Sequence, residues 1–348
     1  DSFDLLKKES LRYSMELIKT DLKQLGIEHD KFFSETDLVK NKLVDKAINQ
    51  LQEDNYVQYG YLEPPKGEKD KNWKKSKRLI FKSTLFGDDA DRSMQKNDGS
   101  WTYFANDVAY HMDKVKRNHE FLINVLGADH TGYINRITAA VSALSKNKVK
   151  LNCKVCQLVK LYKNGQPFKM SKRSGEFISV SDLLKEVNKD AVRFMMLSRS
   201  NDVELDFDFD KVIEKNKDNQ VFYVQYCFAR INSLFNTINI SIDDNIKIDF
   251  TRMRINQYER KIIRKIFAWP RIIELASKKF EPHRVTFYLY ELSTLFHSYW
   301  SLGNTNKDFR FIKDGKISSE TTLAIIRLVL VVIRNGMNIL NVSLPKKM

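Results

Sequence analysis

FLINVLGADHTGYINRITAAVSAL, residues 121–144, decides the fold. The run from Phe121 to Leu126 has the length and apolar composition of a strand buried in a parallel sheet. Gly127, Ala128, Asp129 and His130 make a loop, and residues 133–144 return apolar side chains at helical spacing. Strand, polar loop and helix form the βα unit of a doubly wound sheet, in which ligands bind beyond the carboxyl ends of the strands. Asp129 and His130 are expected there, able to hold a ribose, an α-amino group or the polar edge of a nucleotide. A turn carboxylate beside a hydrogen-bonded histidine fits the same two residues.

Downstream, the apolar run 155–162 ends in Lys163-Asn164-Gly165-Gln166-Pro167, and Asn-Gly after an apolar run signals a hairpin. Next comes KMSKRSG, residues 169–175, and then a helix over 180–198. Lys169, Lys172 and Arg173, closely spaced with Met170 and Ser171 between them, can surround a polyphosphate. A solvated basic turn accounts for the same spacing. Upstream, residues 4–25 show helical periodicity stopped by Gly26. Thr36 or Asp37 is expected to cap a helix running to Glu53. Strands are expected over 56–62 and 79–86, separated by the charged excursion 66–78, with a helix over 104–117. Tyr103 and Asp107, four apart, share a helix face, and a carboxylate beside a phenol suits a guanidinium or ammonium group. Asp107 as a cap, or as a salt-bridge partner of Lys114 or Arg117, is the structural alternative. Asp88, Asp89 and Asp91 could mimic a metal site, but Arg92 beside them favours a solvated turn.

The character changes near residue 200. Residues 202–210 form an acidic, aromatic connector, and helices are expected over 211–238, 252–278, 282–302 and 318–340. Residues 323–333 are apolar nearly all round, as at the centre of a bundle. The fold class is therefore α/β plus all-α, with domains at 1–210 and 211–348. On the first long helix of the second domain, Tyr226 and Arg230 are the candidates for stacking on unpaired bases.

Lys and Arg number 59 against 44 Asp and Glu, a net charge of +15, which makes a polyanion the expected partner. No 18-residue run is wholly apolar, so no membrane span is expected. Three cysteines without a signal peptide fit a reducing cytosol, and Cys153-x-x-Cys156, with no second pair, offers no zinc or redox site.

Together these residues resemble a class I aminoacyl-tRNA synthetase of the bacterial arginyl type. Residues 169–173 look like the second signature loop of that class, and SWTYFAND (100–107) with AYHMD (109–113) looks like the arginine-recognition helix. GADHTGY (127–133), DAVRFMMLSRS (190–200), LDFDFD (205–210) and DNQVFYVQYCFAR (218–230) match in order, and LPKKM (344–348) resembles the family's C-terminus. The resemblance implies the second half of a Rossmann-like catalytic domain followed by a helical anticodon-binding domain.

The resemblance also implies roles. Lys169 and Lys172 would be catalytic, stabilising the phosphates of ATP, with Met170, Ser171, Arg173, Asp129 and His130 completing the ATP site. Tyr103, Asp107 and Asp129 would bind arginine; Tyr226, Arg230 and Met348 would contact tRNA. ATP with Mg²⁺ would be a substrate complex rather than a resident cofactor, no protein metal site is implied, and the enzyme would be a cytoplasmic monomer. Arg173 stands where the class loop often has Ser, and Gln220 where Pro is usual. The first class signature, His-x-Gly-His, matches none of His29, His111, His119, His130, His283 and His297. Together with helix already under way at Asp4, this reads as a C-terminal portion, inactive alone. A non-catalytic tRNA-binding module derived from such an enzyme is the alternative.

Overall fold

A computed structural model describes residues 2–62, 76–168, 178–242, 251 and 253–348. The chain divides into two compact units, residues 29–158 and residues up to 28 with 159–348. The basic loop 169–173 lies outside the described residues.

Helix α1 (Ser2–Gln24) forms over the expected span, yet none of its side chains is buried. It ends at Gly26, whose φ of +70° is the left-handed conformation that glycine adopts without a Cβ penalty.

The unit 29–158 begins with α2 (Glu35–Lys40) and α3 (Leu43–Glu53). These were expected as one helix capped by Thr36 or Asp37. The cap is instead Ser34, which accepts from the amide of Asp37, and Lys42 in left-handed conformation breaks the run. Helix α3 buries Val44, Ala47, Ile48 and Leu51 at helical spacing. Strands β1 (Val57–Gly60), β2 (Arg78–Phe81) and β3 (Arg92–Ser93) form an antiparallel sheet. The strand expected over 79–86 stops at Phe81, and Ser83–Phe86 is a 3₁₀ turn. There the Ser83 hydroxyl donates to Asp88 at 2.9 Å, and Arg92 grips both Asp88 oxygens at 2.7 and 2.8 Å. The expected solvated acidic turn is thus anchored on a buried carboxylate: the Asp88 side chain is 0% exposed.

Helix α4 (Tyr103–Val115) is capped by Thr102, which accepts from the amide of Ala105. Strand β4 (Phe121–Gly127) leads through a 3₁₀ turn, Ala128–Tyr133, into α5 (Ile134–Ser145) and back to β5 (Lys150–Cys156). Strands β4 and β5 are parallel, in register from Phe121 opposite Lys150 to Gly127 opposite Cys156. This is the expected βα unit closed into βαβ. Val44, Leu51, Phe81, Met94, Phe104, Val108 and Ile137 share one core, which fixes α4 and α5 against each other.

In the second unit, β6 (Val159–Lys163) and β7 (Gln166–Pro167) make the expected hairpin, with Asn164 and Gly165 both at positive φ. The apolar run 155–162 is not one strand: Val155 belongs to β5, and β6 starts at Val159. Helices α6 (Val180–Glu186) and α7 (Lys189–Met196) replace one expected helix, because Val187 is extended and Asn188 caps a new start. The connector 202–210 contains β8 (Leu205–Asp208), parallel to β6. Asp208 caps α8 (Phe209–Ile213) and Asn219 caps α9 (Gln220–Thr237), so the helix expected over 211–238 is also two.

Helices α10 (Gln257–Phe267) and α11 (Trp269–Lys279) follow, with Pro270 in the first turn of the latter. Then come α12 (His283–Thr305), the short hairpin β9 (Ile312–Lys313) and β10 (Lys316–Ile317), and α13 (Glu320–Ile339). Helix α13 is long and apolar enough to cross a membrane, but 61% of that span is buried in the bundle and Leu328 and Val331 face outward. Its Gly336 is in close contact with Leu289 of α12: a Cβ there would lie 2.6 Å from Leu289 Cδ2.

Candidate functional site

The pocket is built on one face of α4. Asp107, Tyr110, His111 and Lys114 stand at i, i+3, i+4 and i+7, so the helix period puts all four on the same side. Opposite them β4 supplies Asn124 and Leu126, and the βα turn supplies His130 and Tyr133; with Ile137 and His29 they enclose about 520 Å³. The site lies against the second half of β4 and reaches the turn at its carboxyl end, the region where parallel sheets bind ligands.

Asp107 is half-buried, and its Oδ2 accepts a short hydrogen bond from the Tyr133 hydroxyl. The Tyr133 ring is held edge-on by Phe104 and lies beneath the Arg136 guanidinium. Burial, and then the bonded Asp107 carboxylate, push the Tyr133 phenol pKa well up, so the hydroxyl keeps its proton and remains a donor. Arg117 pairs with Asp113 at 2.9 Å, and Lys114 donates to Asn124 at 2.9 Å. Neither makes the salt bridge to Asp107 that was the structural alternative. The carboxylate keeps acceptor capacity for a ligand.

Beneath Asp107 runs a chain of hydrogen bonds whose polarity is forced. An ammonium only donates, so the Lys114 Nζ fixes Asn124 with its oxygen toward the lysine. The Asn124 amide nitrogen then donates to His111 Nε2 at 2.9 Å, and His111 Nδ1–H donates to the Asp107 carbonyl at 2.8 Å. His111 is therefore the neutral Nδ1–H tautomer. Burial pulls its pKa down, in agreement. Burial also lowers the pKa of Lys114, with nearby Arg117 adding to the effect.

The other expected site residues are placed as follows. Tyr103 opens α4 but is 78% exposed, with the Lys96 ammonium 5.6 Å from its ring centre, and it does not line the cavity. The phenol that meets Asp107 is Tyr133, 26 residues away in sequence, which the sequence reading missed; its only signal was its place at the end of the strand–loop segment. His130 lines the cavity, whereas Asp129 is exposed beside it, 3.5 Å from its ring nitrogen. Gly127 lies close to Asp129: a Cβ there would come within 2.6 Å of Asp129 Oδ1 and shift that exposed side chain.

Tyr226 and Arg230 sit on α9 in the second unit and are half-buried rather than exposed. The Arg230 guanidinium donates to the Tyr226 hydroxyl at 3.0 Å and to His297 Nδ1 at 2.9 Å. It also lies against the rings of Tyr226 and Trp300. His297 Nε2–H donates to the Tyr223 carbonyl, which leaves Nδ1 as the acceptor. Burial lowers the His297 pKa to about 4, so the ring is neutral at physiological pH. Met348 is exposed.

Comparison with known proteins gives these geometries a setting. Residues 67–236 match the family model of the class I tRNA synthetase (R) catalytic domain, and residues 224–348 match the DALR anticodon binding domain. The arginine–tRNA ligase of Pelagibacter ubique is 54% identical over 352 residues, covering 100% of this chain and 61% of that protein. That of Roseobacter denitrificans is 48% identical over 96% of this chain and 58% of its own length. The chain thus spans about three-fifths of the length of these relatives. The Thermus thermophilus arginyl-tRNA synthetase superposes with a TM-score of 0.74 at 17% identity, over 99% of this chain and 65% of that one, which shows a shared fold. With a class I catalytic region followed by a DALR helical domain, the chain belongs to the arginyl-tRNA synthetase family.

Proposed function

We propose that this chain is the C-terminal part of an enzyme that activates L-arginine with ATP and transfers it to the 3′ end of tRNA(Arg). The observation that carries the reading is Asp107: a half-buried carboxylate with no ion pair among the described residues, held by Tyr133 in a pocket against a parallel strand and the turn at its carboxyl end. A guanidinium offers a planar fork of donors, and a carboxylate accepts two of them while neutralising the charge. Tyr133 fixes the carboxylate, and the neutral His111 holds the backbone beneath it.

In this reading residues 1–210 carry the chemistry and residues 211–348 the anticodon contacts. Attack by the arginine carboxylate on the α-phosphate requires no protein nucleophile. Lys169 and Lys172 stabilise charge on the departing pyrophosphate, and Met170, Ser171, Arg173, Asp129 and His130 are the other residues assigned to ATP. ATP enters as its Mg²⁺ complex. Tyr103 and Asp129 are assigned to arginine with Asp107, although Tyr103 does not line the cavity. Tyr226, Arg230 and Met348 meet the tRNA, and the net charge of +15 supplies its electrostatic attraction. The enzyme acts as a cytoplasmic monomer.

The test is arginine-dependent exchange of pyrophosphate into ATP, run with tRNA(Arg) present on the protein as the cell makes it. Exchange with arginine and not with lysine supports the assignment. Binding of tRNA without any exchange would instead make the chain a non-catalytic tRNA-binding module.

A further inference from the structure

We propose that Lys114 is the depth stop of the arginine pocket: its ammonium, tethered to Asn124, limits the site to one cationic group at the level of Asp107 and so rejects longer cationic side chains. The proposal rests on the reading of Asp107 as the guanidinium partner.

A lysine at the rim of a protein ordinarily extends its head into water. Lys114 does the reverse. It lines the cavity, its ammonium lies 4.4 Å from the Tyr110 ring centre, and its Nζ donates inward to Asn124 at 2.9 Å. Among the described residues no carboxylate lies within ion-pair distance of it, since Asp113, one residue earlier, is taken by Arg117 and Lys31. A half-buried ammonium with no ion pair among the described residues, attracted by Asp107 only at longer range, needs a reason in a cavity that receives a cation.

The geometry supplies one. Asp107 and Lys114 are seven residues apart on α4, so they share a face and are offset by about 10 Å along the axis. The lysine side chain leans back toward the helix N-terminus, which brings its charge beneath the carboxylate. The tether is fixed in turn by His111, whose tautomer leaves Asn124 a single orientation. A guanidinium held at Asp107 meets an acceptor above and a fixed like charge below. One methylene more in the side chain either drives the guanidinium toward Lys114 or buckles the chain. An apolar residue could fill the same volume, but only a charge repels over several ångströms.

The experiment is direct competition between arginine and homoarginine, the analogue one methylene longer, read as the ratio of their kcat/KM values in the exchange reaction. That ratio does not depend on the fraction of protein that folds. Lys114→Met keeps the stem and removes the charge, and should shrink the disadvantage of homoarginine by about tenfold or more. Asn124→Ala, which frees the ammonium, should move the ratio in the same direction and serves if the first variant folds poorly. An unchanged ratio in whichever variants fold overturns the depth stop. The underlying reading has its own control in Asp107→Asn: a raised arginine KM there beside an unchanged ratio removes only the depth stop, whereas a normal arginine KM removes the assignment of the pocket itself.

Discussion

Replacing Asp107 with Asn tests the pocket at its centre. The variant keeps the shape of the side chain, removes its charge and turns one acceptor into a donor facing the guanidinium. Leaving a buried charge unpaired costs roughly 3–5 kcal/mol, and because Asp107 is only half-buried the lower end applies. At 1.4 kcal/mol per decade this is an increase of about 10²-fold in the arginine KM. The KM for ATP and the affinity for tRNA should stay near their original values. The free protein should hardly notice. The amide oxygen still accepts from Tyr133, so a charge-assisted hydrogen bond becomes a neutral one, a loss of about 1 kcal/mol. Asp113→Asn on the same helix is the contrasting control. It removes the ion pairs with Arg117 and Lys31, both part-exposed, and should cost at most about 1 kcal/mol of stability with no effect on arginine KM. Arginine titrations of pyrophosphate exchange and thermal denaturation of both variants decide the matter. A normal arginine KM in Asp107→Asn, with a lowered melting temperature, would refute the argument and make the residue structural.

Tyr133→Phe removes the donor that orients Asp107 and should raise the arginine KM by about tenfold while kcat and the melting temperature change little; a fall in kcat alone would contradict a positioning role. Arg230→Lys keeps the charge but loses the planar contact with Tyr226 and Trp300, so tRNA should bind about tenfold more weakly in filter or gel assays with the arginine KM unmoved; undiminished binding would leave the cluster a packing feature. Burial opposes ionisation of Asp88, but Arg92, Asp89 and Ser83 together hold its pKa down to about 2. A depressed carboxyl pKa stabilises the fold above its ordinary value and loses that contribution as pH falls from about 4 to about 2. Denaturant melts across that window should show the loss, and Arg92→Met should cost roughly 3–5 kcal/mol at pH 7 and abolish this acid limb; matching acid profiles in both proteins would show that the pair is not its source.

What was legible in the sequence follows from how local each signal is. The apolar run 121–126 and the helix after it needed only their own periodicity, and Asn164-Gly165 announced its turn because few other residues tolerate two successive positive φ values. Helix breaks were harder. Across Val187-Asn188 the apolar pattern continues, and only the capping Asn188 marks where a new helix starts, whereas residues 214–219 are all polar and Asn219 closes that run as the next cap. Ser34 escaped notice because Thr36 and Asp37 offer the same chemistry two and three residues later, and only the extended backbone at Ser34 decides among them.

The site divides along the same line. Asp107 could be found because its helix face is a matter of spacing, and spacing also pointed to Tyr103 as its phenol. Spacing assumes that partners come from the same element. Here the second wall of the pocket comes from β4 and the βα turn, so the groups that complete Asp107 and Lys114 are Tyr133 and Asn124, 26 and 10 residues away. Which of them meets the helix depends on how α4 rotates against the sheet, and that is settled by core residues such as Phe104, Val108 and Met112 facing Ile137. Those residues carry no chemistry of their own, yet they turn Asp107 toward Tyr133 and leave Tyr103 exposed, outside the cavity lining. A substitution that rotated α4 by one position would keep every motif in the sequence and still dismantle the pocket. For that reason the pocket proposed for arginine is a property of the packing between α4 and the βα unit rather than of the SWTYFAND motif alone.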